Sequence, residues 1–330
     1  MSPATSVAFI VTAYNRQQYF AEAIESVLRM EEGIDSVDHL LLRNFEDTTV
    51  DTQLVARGVR LVPNHSPDVG GTLYSALDHT DAEFLAFVDD DDLVLPHRLR
   101  RFAEIRERIP ELAYYHNGFA AFSTVPPPRM SPADRSVGRR STGGPSFRTY
   151  RAGDGEGFLR FLAQRSQEQN LSSTIVHRSV IERARPEFVE LPAMTDTAML
   201  VAGVASGAPL VFDEEISTLV RRHRENVSRT LRDTQRRAVA LDIFSRLIAR
   251  TPNVGVARDY LELRRARETV YNRVLGAPGS SEEILQAART LLGYWKRLRA
   301  WRDLGFLELA ATSLVVPPAV PALRPLLVPR

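Results

Sequence analysis

Phe84-Leu85-Ala86-Phe87-Val88-Asp89-Asp90-Asp91-Asp92-Leu93-Val94-Leu95-Pro96 runs from an apolar stretch directly into four consecutive acids, and out to a proline. The apolar part reads as a strand, and Pro96 suits the first turn of a helix that follows. A turn or a helix cap uses one carboxylate, whereas four adjacent like charges repel one another. A divalent cation relieves that repulsion, and carboxylate oxygens are the ligands Mg²⁺ or Mn²⁺ prefers. Mg²⁺ takes few protein carboxylates and fills the rest of its shell with water and substrate phosphates. The stretch therefore points to a metal site at a strand end and to a phosphate-bearing substrate.

On either side, short apolar runs alternate with helical patterns. Further strands are expected at Val7–Thr12, His39–Leu42, Val59–Val62 and Leu112–Phe122. Tyr19, Ala23, Ile24, Val27 and Leu28 share one helical face, and Leu99, Phe102, Ile105 and Ile109 share another. Such alternation implies an α/β fold with a largely parallel sheet, whose ligands bind at the carboxyl ends of the strands. Ser123–Arg148, with Pro126-Pro127-Pro128 and Gly143-Gly144-Pro145, can bury little. It is expected to be a long mobile loop, either an active-site lid or a disordered connection. Beyond it come a helix near Glu156–Gln164, a strand near Ser172–Val176, a helix over Thr195–Ser206, and two strands, Leu210–Phe212 and Ile216–Val220.

From about Thr230 the pattern is helical. Leu241, Phe244, Leu247 and Ile248 form one stripe, Tyr260, Leu261 and Leu263 a second, and Ser280 with Glu283 makes a capping box for a third helix. Residues 1–230 are thus read as the main domain and 231–330 as a helical extension with a Pro-rich, apolar tail. The tail from Gly305 suits packing on the sheet domain, a homodimer interface, or contact with a membrane surface carrying a lipid-linked acceptor.

Lys+Arg number 42 against 41 Asp+Glu, so charge gives no reason to expect a nucleic-acid partner. The absence of cysteine excludes disulfides, thiolate metal sites and cysteine nucleophiles. Lys296 is the single lysine, which removes phosphate-loop and Schiff-base chemistry from the first part of the chain. The start reads as a strand rather than a signal peptide, and no uninterrupted apolar run reaches spanning length. A cytoplasmic protein is expected, free or peripheral to the inner face of the membrane.

The first strand ends in Thr12-Ala13-Tyr14-Asn15-Arg16. Together with the acidic run, this resembles family 2 glycosyltransferases, whose GT-A fold is a Rossmann-like, mixed and mostly parallel sheet. Asn64, Gly70-Gly71 and Ala76 resemble that family's segment before the acidic strand. Thr195-Asp196, after Glu190-Leu191-Pro192, resembles its base-bearing helix start. Val220-Arg221-Arg222-His223-Arg224-Glu225-Asn226-Val227-Ser228 is similar to its closing segment. The resemblance spans roughly residues 6–230. It implies a metal-dependent, inverting transfer of a sugar from a nucleotide diphosphate donor to a saccharide, lipid-linked or small-molecule acceptor. Asp89, Asp91 and His223 would meet Mg²⁺ or Mn²⁺. Thr12, Ala13, Tyr14, Asn15, Arg16, Asn44, Asp90 and Arg221 would face the donor, and Asp196 would be the general base.

Three positions depart from the pattern. Asn44 stands about where the family places an acid for a pyrimidine base, Thr195 replaces the first acid of the base motif, and Val220 replaces a tyrosine. A non-catalytic sugar-nucleotide-binding subunit is one alternative. A sugar-phosphate nucleotidyltransferase is another, disfavoured because Thr12–Arg16 contains no glycine. His116-Asn117 reads equally as an acceptor contact or a polar strand end, and Trp295 and Trp301 read as packing.

Overall fold

The computed structural model describes residues 5–15, 17–30, 33–66, 68–122, 147–165, 170–223, 231–251, 255–274 and 280–298. In chain order the strands are β1 (Ser6–Ala13), β2 (Ser36–Arg43), β3 (Val59–Pro63), β4 (Phe84–Asp89), β5 (Leu93–Val94), β6 (Tyr114–Phe122), β7 (Phe147–Tyr150), β8 (Thr174–His177) and β9 (Leu210–Arg221). The helices are α1 (Phe20–Leu28), α2 (Thr48–Ala56), α3 (Val69–Leu77), α4 (Arg98–Arg108), α5 (Gly155–Arg165), α6 (Arg178–Phe188), α7 (Thr195–Ser206), α8 (Leu231–Ala249), α9 (Gly255–Val274) and α10 (Ser281–Leu298). Contacts divide the chain into two compact units, Met1–Arg151 with Gln169–Asn226, and Ala152–Glu168 with Val227–Arg330.

The first unit is built on a mixed sheet in the order β3-β2-β1-β4-β8-β6-β9-β5, with β7 also pairing to β9. β3, β2, β1 and β4 run parallel, as do β6 and β9, while β8 is antiparallel to both of its neighbours. Every residue from Val7 to Val11 is 0% exposed, which requires cover on both faces and explains a continuous apolar run rather than an alternation. One face packs Phe9, Val11, Phe84, Ala86 and Val88 against Phe20, Ala23, Ile24 and Val27 of α1 and Leu99, Phe102 and Ile105 of α4.

Several boundaries differ from those read in the sequence. Pro96 lies two residues before α4, outside its first turn, and His97 occupies the cap position. β8 begins only at Thr174, after the 3-10 turn Leu171–Ser173. The two strands expected at Leu210–Phe212 and Ile216–Val220 are one strand, β9. The acids between them separated the two apolar runs, but Asp213 is fully buried. It accepts from Arg101 Nε at 2.7 Å, Arg101 Nη2 at 3.2 Å and the Tyr115 hydroxyl at 3.1 Å, so the strand continues through it. α6 was not anticipated, because Pro186 in its last turn argues against a helix there. Of the loop expected at Ser123–Arg148, Phe147 and Arg148 open β7 and the rest lies outside the described residues.

Gly70 ties α3 to the approach of α7. A Cβ at Gly70 would come within 1.9 Å of the Phe188 carbonyl oxygen, and its N–H donates to the Leu191 carbonyl at 2.9 Å. Only a glycine lets the helix abut the Phe188–Leu191 backbone this closely.

The second unit is helical. Phe158, Leu159 and Leu162 of α5, Phe244 and Leu247 of α8, Tyr260 and Leu263 of α9, and Leu291 of α10 are all buried. The expected capping box opens α10: Glu283 N–H donates to Ser280 Oγ at 3.1 Å and Ser280 N–H to Glu283 Oε2 at 2.9 Å. No described helix is long and apolar enough to cross a membrane.

Candidate active site

Parallel register sets Thr12 beside Asp89 and Ala13 beside Arg43, so β1, β2 and β4 end level with one another. Beyond β4 the chain turns through the acids, closed by Asp92 N–H donating to the Asp89 carbonyl at 3.1 Å. Asp90, Asp91 and Asp92 are buried, and Asp89 is partly exposed. One carboxylate oxygen from each of Asp89, Asp91 and Asp92 lies within 4.8 Å of the others. Hard oxygen donors at that spacing fit Mg²⁺ or Mn²⁺.

The three acids are not equivalent. Asp92 Oδ2 accepts from Ser172 Oγ at 2.7 Å and Asn170 Nδ2 at 3.3 Å, and its Oδ1 accepts from Arg221 N–H at 2.9 Å. Burial, reinforced by the Asp91 charge, raises its carboxyl to about 6, against the pull of those hydrogen bonds. Asp91 Oδ2 meets His223 Nε2 at 2.8 Å, and the His223 ring lies 5.3 Å from that of Tyr19. His223, expected at the metal, is thus brought to the same carboxylate.

Arg221 was expected to face the donor. Its guanidinium is 1% exposed and sits between the rings of Tyr19 at 4.4 Å and Phe122 at 4.6 Å. Nε donates to the Asp91 carbonyl at 3.0 Å and Nη2 pairs with Glu22. These contacts hold the turn from behind.

At the end of β1, Tyr14 is 48% exposed and Asn15 adopts a left-handed φ of 56°. Asn44, at the end of β2, clasps Asn15 with both ends of its amide. Its Oδ1 accepts from Asn15 N–H at 2.9 Å and its Nδ2 donates to Asn15 Oδ1 at 2.7 Å. Arg16 lies outside the described residues.

Asp196 stands in the first turn of α7, and its Oδ1 accepts from Thr197 N–H at 2.7 Å. The residue before the helix, Met194, is left-handed with φ 64°. That bond is local to α7. What links α7 to the acidic turn is the 3-10 turn Leu171–Ser173, which packs against β4 on one side and α7 on the other. His116 and Asn117 are buried in β6, where Asn117 Nδ2 donates to Thr218 Oγ1 at 2.9 Å.

Sequence reading passed over Asn170, Ser172 and the Tyr19–Phe122 pair. The signal for the first two was the polar run Asn170 to Thr174, too hydrophilic to be the start of a buried strand without a partner to satisfy.

A family model described as Glycosyl transferase family 2 matches residues 8–180, more than half of the chain. No curated protein matches it. Among solved structures the chain is similar to S. aureus TarS 1-349 in complex with UDP-GlcNAc, with a TM-score of 0.61 at 13% identity, covering 94% of this chain and 87% of that one. It is similar to the same protein in complex with UDP, with a TM-score of 0.59 at 12% identity and the same coverage, 94% and 87%. It is also similar to the mannosyltransferase PcManGT from Pyrobaculum calidifontis in complex with GDP-Man and Mn²⁺, with a TM-score of 0.51 at 15% identity, again covering 94% and 87%. At these identities the likeness establishes the fold, a mixed and mostly parallel GT-A sheet accompanied by a helical C-terminal part, as expected.

Proposed function

The chain belongs to glycosyl transferase family 2 and is a glycosyltransferase; from that premise we propose that it moves a sugar from a nucleoside diphosphate donor to an acceptor hydroxyl, using a divalent cation and inverting the anomeric carbon. The observation that carries the reading is the acidic turn, with Asp89 and Asp91 at the level end of β1 and β4 and His223 against Asp91. Asp89 and Asp91, with His223 beside them, would hold Mg²⁺ or Mn²⁺. The cation, when bound, neutralises charge on the leaving diphosphate.

Neighbours solved with UDP, UDP-GlcNAc and GDP-Man support a nucleotide-sugar donor. Thr12, Ala13, Tyr14, Asn15, Arg16 and Asp90 are assigned to the donor side. Asn44 acts there through Asn15, because its amide is committed to that residue. Arg221 positions the turn. Asp196 takes the proton of the acceptor hydroxyl as its bond to the sugar forms. A single displacement needs no protein nucleophile and leaves the anomeric centre inverted.

A thermal-shift screen of UDP, GDP, ADP and CDP, each with Mn²⁺, Mg²⁺ or EDTA, tests the donor and the metal together. At least one diphosphate should stabilise the protein, and EDTA should abolish the shift. A shift indifferent to EDTA would remove the metal from the reading. Donor hydrolysis that yields the retained anomer would remove single displacement.

A further inference from the structure

The buried polar groups beneath the acidic turn form one connected set that the reaction itself does not use. Ser172 Oγ accepts from Asp89 N–H at 3.0 Å and donates to Asp92 Oδ2 at 2.7 Å. One hydroxyl therefore ties the first acid of the turn to the last. Ser172 is itself fixed: its carbonyl accepts from Thr218 Oγ1 at 3.2 Å, and Thr218 Oγ1 accepts from Asn117 Nδ2 at 2.9 Å. Asn117, Ser172 and Thr218 are each 0% exposed, and Asp92 is 2% exposed. From the opposite side, Arg221 N–H donates to Asp92 Oδ1 at 2.9 Å.

Resting on the metal reading above, we infer that Asp92 anchors the acidic turn and does not bind the cation, and that Ser172 is the positioning residue that holds it. Proximity alone groups Asp92 with Asp89 and Asp91 as a third donor. The hydrogen bonds argue otherwise. Three donors take three of the roughly four acceptor directions of this carboxylate and fix its plane, and rotating it toward a cation would strand the Ser172 hydroxyl and the Arg221 N–H in the interior. A buried charge of this kind serves to fix register. Here the register is that of Asp89 and Asp91. The Ser172 hydroxyl closes a second ring around the turn already closed by the Asp92 N–H and Asp89 carbonyl bond. Such outer partners orient ligands, and their loss typically lowers metal affinity about 10–100-fold.

The experiment measures Mn²⁺ binding by electron paramagnetic resonance in the presence of UDP or GDP, for the parent and for Ser172→Ala, Asp92→Asn, Asp91→Asn and the Ser172→Ala/Asp92→Asn pair. Asp92→Asn keeps an oxygen for the Arg221 N–H and an amide that Ser172 can accept. Ser172→Ala should weaken Mn²⁺ binding about 10–100-fold. Asp92→Asn should fall in the same range, the pair should be no weaker than the worse single variant, and Asp91→Asn should fall well below all of them. Parent-like binding by Ser172→Ala overturns the inference, and so does loss in Asp92→Asn as complete as in Asp91→Asn. Melting curves without metal or nucleotide separate this inference from the metal reading. If the parent binds no Mn²⁺ with any nucleoside diphosphate, the metal reading fails. The anchor is then judged by melting alone: Ser172→Ala and Asp92→Ala, which strand the partners of the network, should each lower Tm and the pair by less than their sum, and additive losses reject it.

Discussion

Replacing Arg221 by Met retains most of the aliphatic stem and deletes the guanidinium, which separates the two roles this residue could have. The guanidinium lies 4.4 Å from the Tyr19 ring and 4.6 Å from the Phe122 ring, at 1% exposure. Each desolvated cation–π contact contributes about 1 kcal/mol. Losing the Nε bond leaves the Asp91 carbonyl short of a donor inside the protein, at a cost of about 1 kcal/mol. The Glu22 partner is 40% exposed, so that pair adds well under ~1 kcal/mol after screening. Together these place the destabilisation of Arg221→Met at about 3 kcal/mol. Urea denaturation of metal-free, nucleotide-free protein reads this as a lower midpoint at constant slope. Lysine should recover less than half of the loss, because an ammonium cannot lie flat between two rings. A donor-contacting arginine would behave in the opposite way, losing nucleotide affinity with stability nearly unchanged. Destabilisation below ~1 kcal/mol would refute the positioning role and return Arg221 to the donor.

Asp91→Asn should abolish metal-dependent nucleotide binding, measured by calorimetry with Mn²⁺, while the metal-free Tm stays close to the parent's because like-charge repulsion is relieved. Asp196→Asn should lower turnover about 10²–10⁴-fold with donor affinity unchanged; turnover within a few-fold of the parent would leave Asp196 as a helix-start residue only. Asn44→Ala should weaken UDP and GDP binding by the same factor, since it frees the Asn15 backbone rather than a base contact; a changed ratio between the two would show that Asn44 reads the base. His177 caps α6 by accepting the Ser179 N–H at its Nδ1, and burial holds its pKa below the usual 6.5. Its contribution is therefore full above pH 6.5 and lost as pH falls below it. A His177→Asn variant should match the parent's Tm at pH 7.5 and exceed it at pH 5, and parallel pH profiles would rule this out.

What the sequence disclosed, it disclosed through patterns that leave little choice. Four adjacent acids after an apolar run have few structural uses, and the turn they form brings three carboxylates within reach of one cation, the centre of the candidate site. The run Val7–Val11 read as a strand, and its burial on both faces accounts for its unbroken apolarity. The Ser280–Glu283 box was legible because a cap is local. The failures were non-local. Asp213 looked like the end of a strand because its partners, Arg101 and Tyr115, lie far away in sequence. The enclosure of Arg221 by Tyr19, Glu22 and Phe122 was equally hidden, because none of the three lies near it in sequence. The clasp of Asn44 on Asn15 could not be read either, because it depends on the parallel register of β1 and β2.

The same distinction explains where backbone strain is found. Among the described residues, the non-glycine positions with positive φ are Asn15 and Met194. One lies in the segment assigned to the donor and the other immediately precedes the helix that bears Asp196. A left-handed residue other than glycine costs about 1–2 kcal/mol and persists only where its surroundings impose it. For Asn15 the imposing contact is the Asn44 amide, which fixes the N–H and the side chain together. For Met194 it lies on both sides. Upstream, Leu191 is pinned to α3 through the Gly70 N–H, and downstream the Met194 carbonyl already accepts the first-turn bond from Ala198. The glycine that admits this approach and the asparagine that makes the clasp therefore set the backbone of the two segments to which the proposed reading gives the donor and the base. Substitutions at Gly70 or Asn44 should accordingly act on the geometry of the donor and base segments, not on any bond that is made or broken.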